Sequence, residues 1–158
     1  MHEYGYSNNI LYNPIFISAF FSWIFTQFVK TMIVIISRPV QMPLRYYIGM
    51  LLWKTGGMPS SHSALVTALA TAIGFKEGFN STIFLAVLAY GLLVIRDSVG
   101  VRRSAGIMAR TLNKLGTDLH EKLNTDYKSV KEVNGHTVSE VLIGIVIGFF
   151  IAVAFSIL

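Results

Sequence analysis

Apolar residues along this chain come in long runs, not in the one-face or alternating patterns of a water-soluble domain. The first runs from Ile15 to Ser37, 23 residues, carries Gln27 and Lys30 inside it and stops at Arg38-Pro39. A helix of that length crosses about 30 Å of hydrocarbon with some tilt. A mixed segment follows over 40–57, with Arg45, Tyr46, Tyr47, Trp53 and Lys54. Aromatic and basic side chains together mark a membrane interface, and a short helix is predicted from Leu44 to Trp53. Pro59-Ser60-Ser61 is a helix start. The helix it opens is predicted over 62–75, rich in Ala, Thr and Ser as tightly packed bundle helices are, and closed by Gly74 and Gly78. A further apolar helix is predicted from Thr82 to Ile95. The chain turns polar at Arg96-Asp97 and stays basic and helix-compatible to Glu132, for example from Ala105 to Lys122. Asn134-Gly135 is a turn signal, and the last helix runs from Thr137 to Leu158, apolar from Val141 onward.

These runs predict an all-α, polytopic membrane bundle with four to five membrane helices, in a single domain over 1–158 that carries a basic insert at 104–135. The two middle helices, 14 residues each, are short for independent spans. Either polar turns continue them into the headgroups or one of them is re-entrant. Residues 1–14 contain no Lys or Arg, and no small-residue cleavage site follows the first apolar run, so that run is expected to be a retained helix. Alternating crossings of the four main helices gather Arg38, Ser60-Ser61-His62, the stretch from Arg96 to Arg103, and the stretch from His136 to Glu140 on one membrane face.

Composition sharpens this picture. Hydrophobic residues make up 53% and charged residues 13% of the 158, the latter about half the share of a soluble domain. Mean hydropathy is +0.58. There is no cysteine, which excludes disulfides, thiolate metal sites and cysteine nucleophiles. The net charge of +5 fits an anionic membrane surface or an anionic substrate, with no nucleic acid expected in a chain this apolar. Of the 13 Lys and Arg, 11 fall on the face with the gathered polar motifs; only Lys76 falls opposite, and Lys30 lies within helix one. The positive-inside rule makes the rich face cytoplasmic. The expected location is therefore a bacterial cytoplasmic membrane with the site on its cytoplasmic side.

Four groups of residues on that face carry chemistry. His62 follows Ser60 and Ser61 at a helix N-terminus, where free N–H groups and the helix dipole attract an anion; a histidine there can protonate a leaving oxygen. The plainer reading is a capping turn with an incidental histidine. His136 and Glu140 stand four residues apart on one helical face. A carboxylate on one ring nitrogen fixes the tautomer and leaves the other nitrogen as base or nucleophile, although Glu140 alone also suits a helix N-terminus. Arg102 and Arg103 offer guanidinium forks for phosphate or for lipid headgroups. Asp97 can pair with one of them or ligate a metal. Lys30, inside an apolar run, is a functional candidate because an intramembrane charge is expensive. It lies two turns before Arg38.

Gly56-Gly57-Met58-Pro59-Ser60-Ser61-His62-Ser63, Asp97 with Gly100-Val101-Arg102-Arg103, Leu112-Asn113-Lys114-Leu115, and Gly135-His136-Thr137 followed by Glu140-Val141 together resemble the divergent PAP2 family. The resemblance runs from about Gln27 to Gly148. That family is related to acid phosphatases and vanadium-dependent haloperoxidases, whose wider superfamily carries the motifs KxxxxxxRP, PSGH and SRxxxxxHxxxD and hydrolyses phosphate esters without metal through a phosphohistidine. By position, the resemblance makes His136 the nucleophile, Glu140 its orienting carboxylate in place of Asp, and His62 the general acid. Lys30, Arg38, Ser60, Ser61 (in place of Gly) and Arg102 or Arg103 become phosphate ligands. Lys30 and Arg38 have seven residues between them where the motif has six. Arg103 precedes His136 by 33 residues, so the arginine must fold back over the insert.

The resemblance implies a metal-independent, cofactor-free phosphatase acting on a membrane lipid phosphomonoester, such as phosphatidylglycerophosphate or phosphatidate. Its partners would be that lipid substrate and bulk membrane lipids, and self-association is left open. The alternative is a non-catalytic membrane protein that binds anionic lipid or a partner through its basic face. A third reading is a metal-dependent hydrolase using Asp97, His136 and Glu140.

Overall fold

The computed structural model describes residues 10–37, 43–53, 57–133 and 135–157. After a single 3-10 turn at Ile10–Tyr12 come six α-helices: α1 (Pro14–Ser37), α2 (Leu44–Trp53), α3 (Ser61–Glu77), α4 (Thr82–Val99), α5 (Val101–Leu123) and α6 (Val138–Ile157). No strand occurs among the described residues. Among the described residues three stretches are long and apolar enough to cross a membrane: Pro14–Ser37, Thr82–Leu123 and Val138–Ile157. The apolar part of the second is α4. The expected four to five membrane helices thus reduce to three. The 10 residues of α2 reach only about 15 Å, and α3, 17 residues long, is diluted by Ala, Ser and Thr.

That dilution suits α3 to the centre, where it packs against α1, α4 and α6. Its buried face presents Ser60, Ala64, Ala68 and Ala72, each less than 3% exposed. Against it α6 turns Gly144, Gly148 and Ala152, all buried. A Cβ on Gly144 would strike the Ser60 carbonyl oxygen and one on Gly148 the Ala64 carbonyl oxygen. Two small-residue rows at four-residue spacing therefore meet backbone to backbone. Lipid tails are as apolar as leucine, so close van der Waals contact between such rows, not the hydrophobic effect, draws membrane helices together.

Helix α1 is built inside out. Phe16, Phe20, Phe21, Phe25 and Phe28 stand exposed, whereas Ser18, Ser22, Thr26, Gln27, Lys30 and Thr31 are buried. The hydroxyls of Ser22, Thr26 and Thr31 donate to carbonyls three or four residues back, which satisfies them without a partner helix. This leaves Ser18, Gln27 and Lys30, of which Gln27 and Lys30 have the longer reach beyond their own helix.

Candidate active site

Three helix ends converge at one end of the bundle, and their own backbones lace them together. Ser60 caps α3: its hydroxyl accepts from the Ser63 N–H at 3.4 Å and from the Ser63 hydroxyl at 2.9 Å. The Ser60 N–H donates to the Glu140 carbonyl at 3.0 Å, which ties the start of α3 to the start of α6. The helix α4 closes at Gly100, whose φ and ψ of −92° and −87° depart from helical geometry. The Ser98 carbonyl there accepts the His136 N–H at 3.0 Å. A break in one helix thus supplies the acceptor that fixes His136. Just before His136, Gly135 lies so close to Arg103 that a Cβ would collide with its backbone.

His136 is 4% exposed, and its Nδ1 lies 3.0 Å from Glu140 Oε2. The same oxygen accepts the Thr137 N–H at 3.0 Å. An ionised carboxylate only accepts, so it selects the tautomer with the proton on Nδ1 and leaves Nε2 directed away from Glu140. His62, in the first turn of α3 and outside the three candidate spans, remains partly open to solvent. Its pKa is pushed below the ordinary 6.5, chiefly by burial and then by the charges of His136, Arg102 and Lys30.

His62 and His136 line one cleft of about 240 Å³ together with Leu93, Val94, Asp97, Ser98 and Arg102. Arg102 Nε donates to Asp97 Oδ2 at 2.5 Å. That is the pairing the sequence offered beside metal ligation; among the described residues no three His, Asp or Glu side chains converge as metal ligands. Arg103 is exposed and does not line the cleft. Lys30 is 3% exposed on α1; its charge is felt at His62 although it is not part of the cleft wall. Ser60 and Ser61 are buried at the mouth of α3. With the Ser63 N–H capped by Ser60, the amides of Ser61 and His62 remain as first-turn donors. Arg38 lies outside the described residues.

Two residues were not singled out from the sequence, one at the cleft and one buried on α1. Ser98 acts through its carbonyl, which no side-chain pattern reveals. Gln27 precedes Lys30 by one turn, is 3% exposed, and its Oε1 accepts no hydrogen bond among the described residues. Its place beside Lys30 in an apolar run was the available signal.

The assembly can bind a compact anion between two imidazoles and a guanidinium, with one imidazole oriented by a carboxylate. A stretch of 139 residues is 33% identical to the uncharacterized membrane protein YuiD of Bacillus subtilis, covering 78% of this chain and 88% of that protein. No solved structure matches. The family model described as the divergent PAP2 family matches residues 11–151, nearly the whole bundle and every described residue of the cleft, and the chain belongs to that family.

Proposed function

We propose that this protein is a metal-independent phosphatase of membrane lipid phosphomonoesters, working through a phosphohistidine. The observation that carries the reading is the shared cleft of His62 and His136, with Glu140 on the far nitrogen of His136 and Arg102 on the wall. The lone pair of His136 Nε2 attacks phosphorus while the bond to the lipid oxygen breaks. Glu140 stabilises the positive charge that develops on the ring. His62 gives its proton to the departing alkoxide, which leaves as the alcohol. A water molecule then loses a proton to His62 and attacks the phosphohistidine, releasing inorganic phosphate and restoring both rings. Arg102, the amides of Ser61 and His62 and the charge of Lys30 stabilise the equatorial oxygens, where preorganised donors contribute most.

An amphiphilic substrate is supported by a second, apolar groove of about 290 Å³. It is formed by Val66, Ala70, Leu88, Gly91, Ile95 and Phe149, among others. It adjoins the cleft along α4, where Leu93 and Val94 face one and Leu92 and Ile95 the other. A lipid tail can lie there while its phosphate occupies the cleft. The concentration of Lys and Arg on the site face supports a reaction on the cytoplasmic leaflet, which favours a biosynthetic phospholipid intermediate.

The test is phosphate release by purified protein from phosphatidylglycerophosphate and phosphatidate in excess EDTA. Turnover is expected, with inhibition by vanadate and loss of activity in His136→Ala. Equal inertness of wild type and variant across both lipids would leave only an anion-binding role. Activity lost in EDTA and restored by a divalent cation would select the metal-dependent route.

A further inference from the structure

The long helix beyond the site has one face with no cover. Among the described residues, helix α5 packs on α4 and on the returning segment 124–133, and on no other helix. The returning segment takes one side of it. Asn113 Nδ2 donates to the Val130 carbonyl and to Glu132, its Oδ1 accepts from the Val130 N–H and the Tyr127 hydroxyl, and the Tyr127 ring covers Gly116. The other side is an apolar stripe. Val101, Met108, Leu112, Leu115, Leu119 and Leu123 are 69, 68, 49, 54, 43 and 65% exposed, and they recur at three-, four- and seven-residue intervals that keep them on one face. The stripe runs the whole length of α5, about 35 Å for 23 residues. So long a row of large side chains does not stand in water without a partner.

Three observations say what covers it. First, α5 follows the membrane helix α4 with only Gly100 between them, so its first turn starts at the membrane surface. The helix break at Gly100, with the Ser98 carbonyl turned to His136, frees α5 from continuing along α4. Second, residues 101–133 hold seven of the 13 Lys and Arg against four of the eight carboxylates. Arg103, Arg110 and Lys114 stand across the helix from the stripe, within about one Debye length of a surface on which the stripe rests. An apolar stripe backed by cations, on a helix otherwise polar, is the pattern of helices that lie in the plane of an anionic interface. Third, a second copy fits poorly. Of the positions flanking the stripe, Ser104, Ala109, Thr111 and Gly116 are uncharged and Arg102 is already paired with Asp97, so only Asp118 and Lys122 near its far end remain to register two helices. Pairing would also bring two net-positive arms together.

We infer that α5 is an interfacial anchor. It lies in the headgroup–acyl boundary of the leaflet that bears the cleft, stripe inward, held by anionic phospholipid. This does not depend on the catalytic reading.

Because the chain has no cysteine, single nitroxide labels can be placed one at a time in the full-length protein. Leu115→Cys and Met108→Cys sample the stripe; Lys114→Cys and Thr117→Cys sample the opposite face. All four positions are exposed, so none of these changes empties the core. The labelled proteins are reconstituted in phosphatidylcholine vesicles with and without phosphatidylglycerol. The expected result is that the stripe labels are relaxed by oxygen and several-fold less by a water-soluble nickel chelate, with the order reversed at Lys114 and Thr117. The contrast should deepen with phosphatidylglycerol and shrink at high salt. Equal nickel accessibility on both faces in both vesicle types would overturn the proposal. So would stripe labels shielded from both relaxants and broadened by a neighbouring spin, which would mean a second copy covers them.

Discussion

His136 shows how much one oxygen atom decides. Glu140 Oε2 accepts from both the His136 ring and the Thr137 N–H, so the carboxylate is pinned by backbone and the ring tautomer follows. Glu140→Gln offers an amide that can donate to Nδ1 and thereby reverse the tautomer. On the proposed mechanism it should lower kcat by up to about 10⁴-fold, as an amide does in a Ser-His-Asp triad, whereas Glu140→Asp should retain part of the activity; steady-state assays on a lipid phosphomonoester separate the two. His62 carries a different prediction. Burial and the neighbouring cations hold its pKa below 6.5 in the free protein, and a general acid must be protonated. The alkaline fall in kcat/KM should therefore centre below that value. A bound phosphate offsets the cations and favours the imidazolium, so the fall in kcat should lie at higher pH. Arg102→Gln removes one cation and should move the kcat/KM limb upward. Identical limbs for the two parameters in wild-type protein would count against His62 as the acid. Both histidines and Glu140 were legible as sequence because a helix start and an i, i+4 spacing are local signals. The Asp97–Arg102 pair left alternatives open, since side-chain spacing does not say which cation a carboxylate will choose.

Among the elements, helix ends were harder to read than helix existence. The polar switch at Arg96-Asp97 suggested that the helix stops at Ile95, yet α4 continues to Val99, because charged side chains at an interface snorkel without breaking the backbone. The true stop is Gly100, and α5 resumes at once at Val101, within the stretch read as helix-compatible. The packing of α3 on α6 carried a readable signal, Gly144 and Gly148 in an apolar run, which is a small-xxx-small motif. Its consequence is testable. Gly148→Val drives a branched side chain into the Ala64 carbonyl and should destabilise the bundle by about 1–3 kcal/mol, the usual cost of overpacking; thermal unfolding in detergent measures it. Gly144→Ala presses instead on the Ser60 carbonyl, at the mouth of the cleft, and should reduce turnover more than Gly148→Ala does. Asn113 governs the returning segment through four hydrogen bonds. Asn113→Ala should hasten proteolysis between residues 124 and 133 while leaving the bundle's midpoint of unfolding nearly unchanged.

Among the described residues a shell of large exposed apolar side chains surrounds an interior of mostly small ones, many of them Ser and Thr, the reverse of a soluble domain. That inversion is why the membrane class was legible from apolar runs, while the number of crossings was not. Run length alone cannot distinguish a span from a sheltered central helix such as α3. The same runs placed the polar junctions at one end, and the expected orientation then follows from charge. By the sequence expectation, 11 of the 13 Lys and Arg fall on the site face and Lys76 on the other, an imbalance that the positive-inside rule would resolve with the rich side in the cytoplasm. Asn80, exposed in the turn between α3 and α4, and Thr125, exposed after α5, lie at opposite ends of α4 and its extension. In the cysteine-free background, Asn80→Cys should react with a membrane-impermeant maleimide in intact cells. Thr125→Cys should react only after permeabilisation. The reverse pattern would move the cleft to the outer leaflet, and with it the substrate pool from newly made phospholipid precursors to lipid phosphates released outside. The cleft geometry would stand unchanged, so this labelling tests the source of the substrate separately from the chemistry.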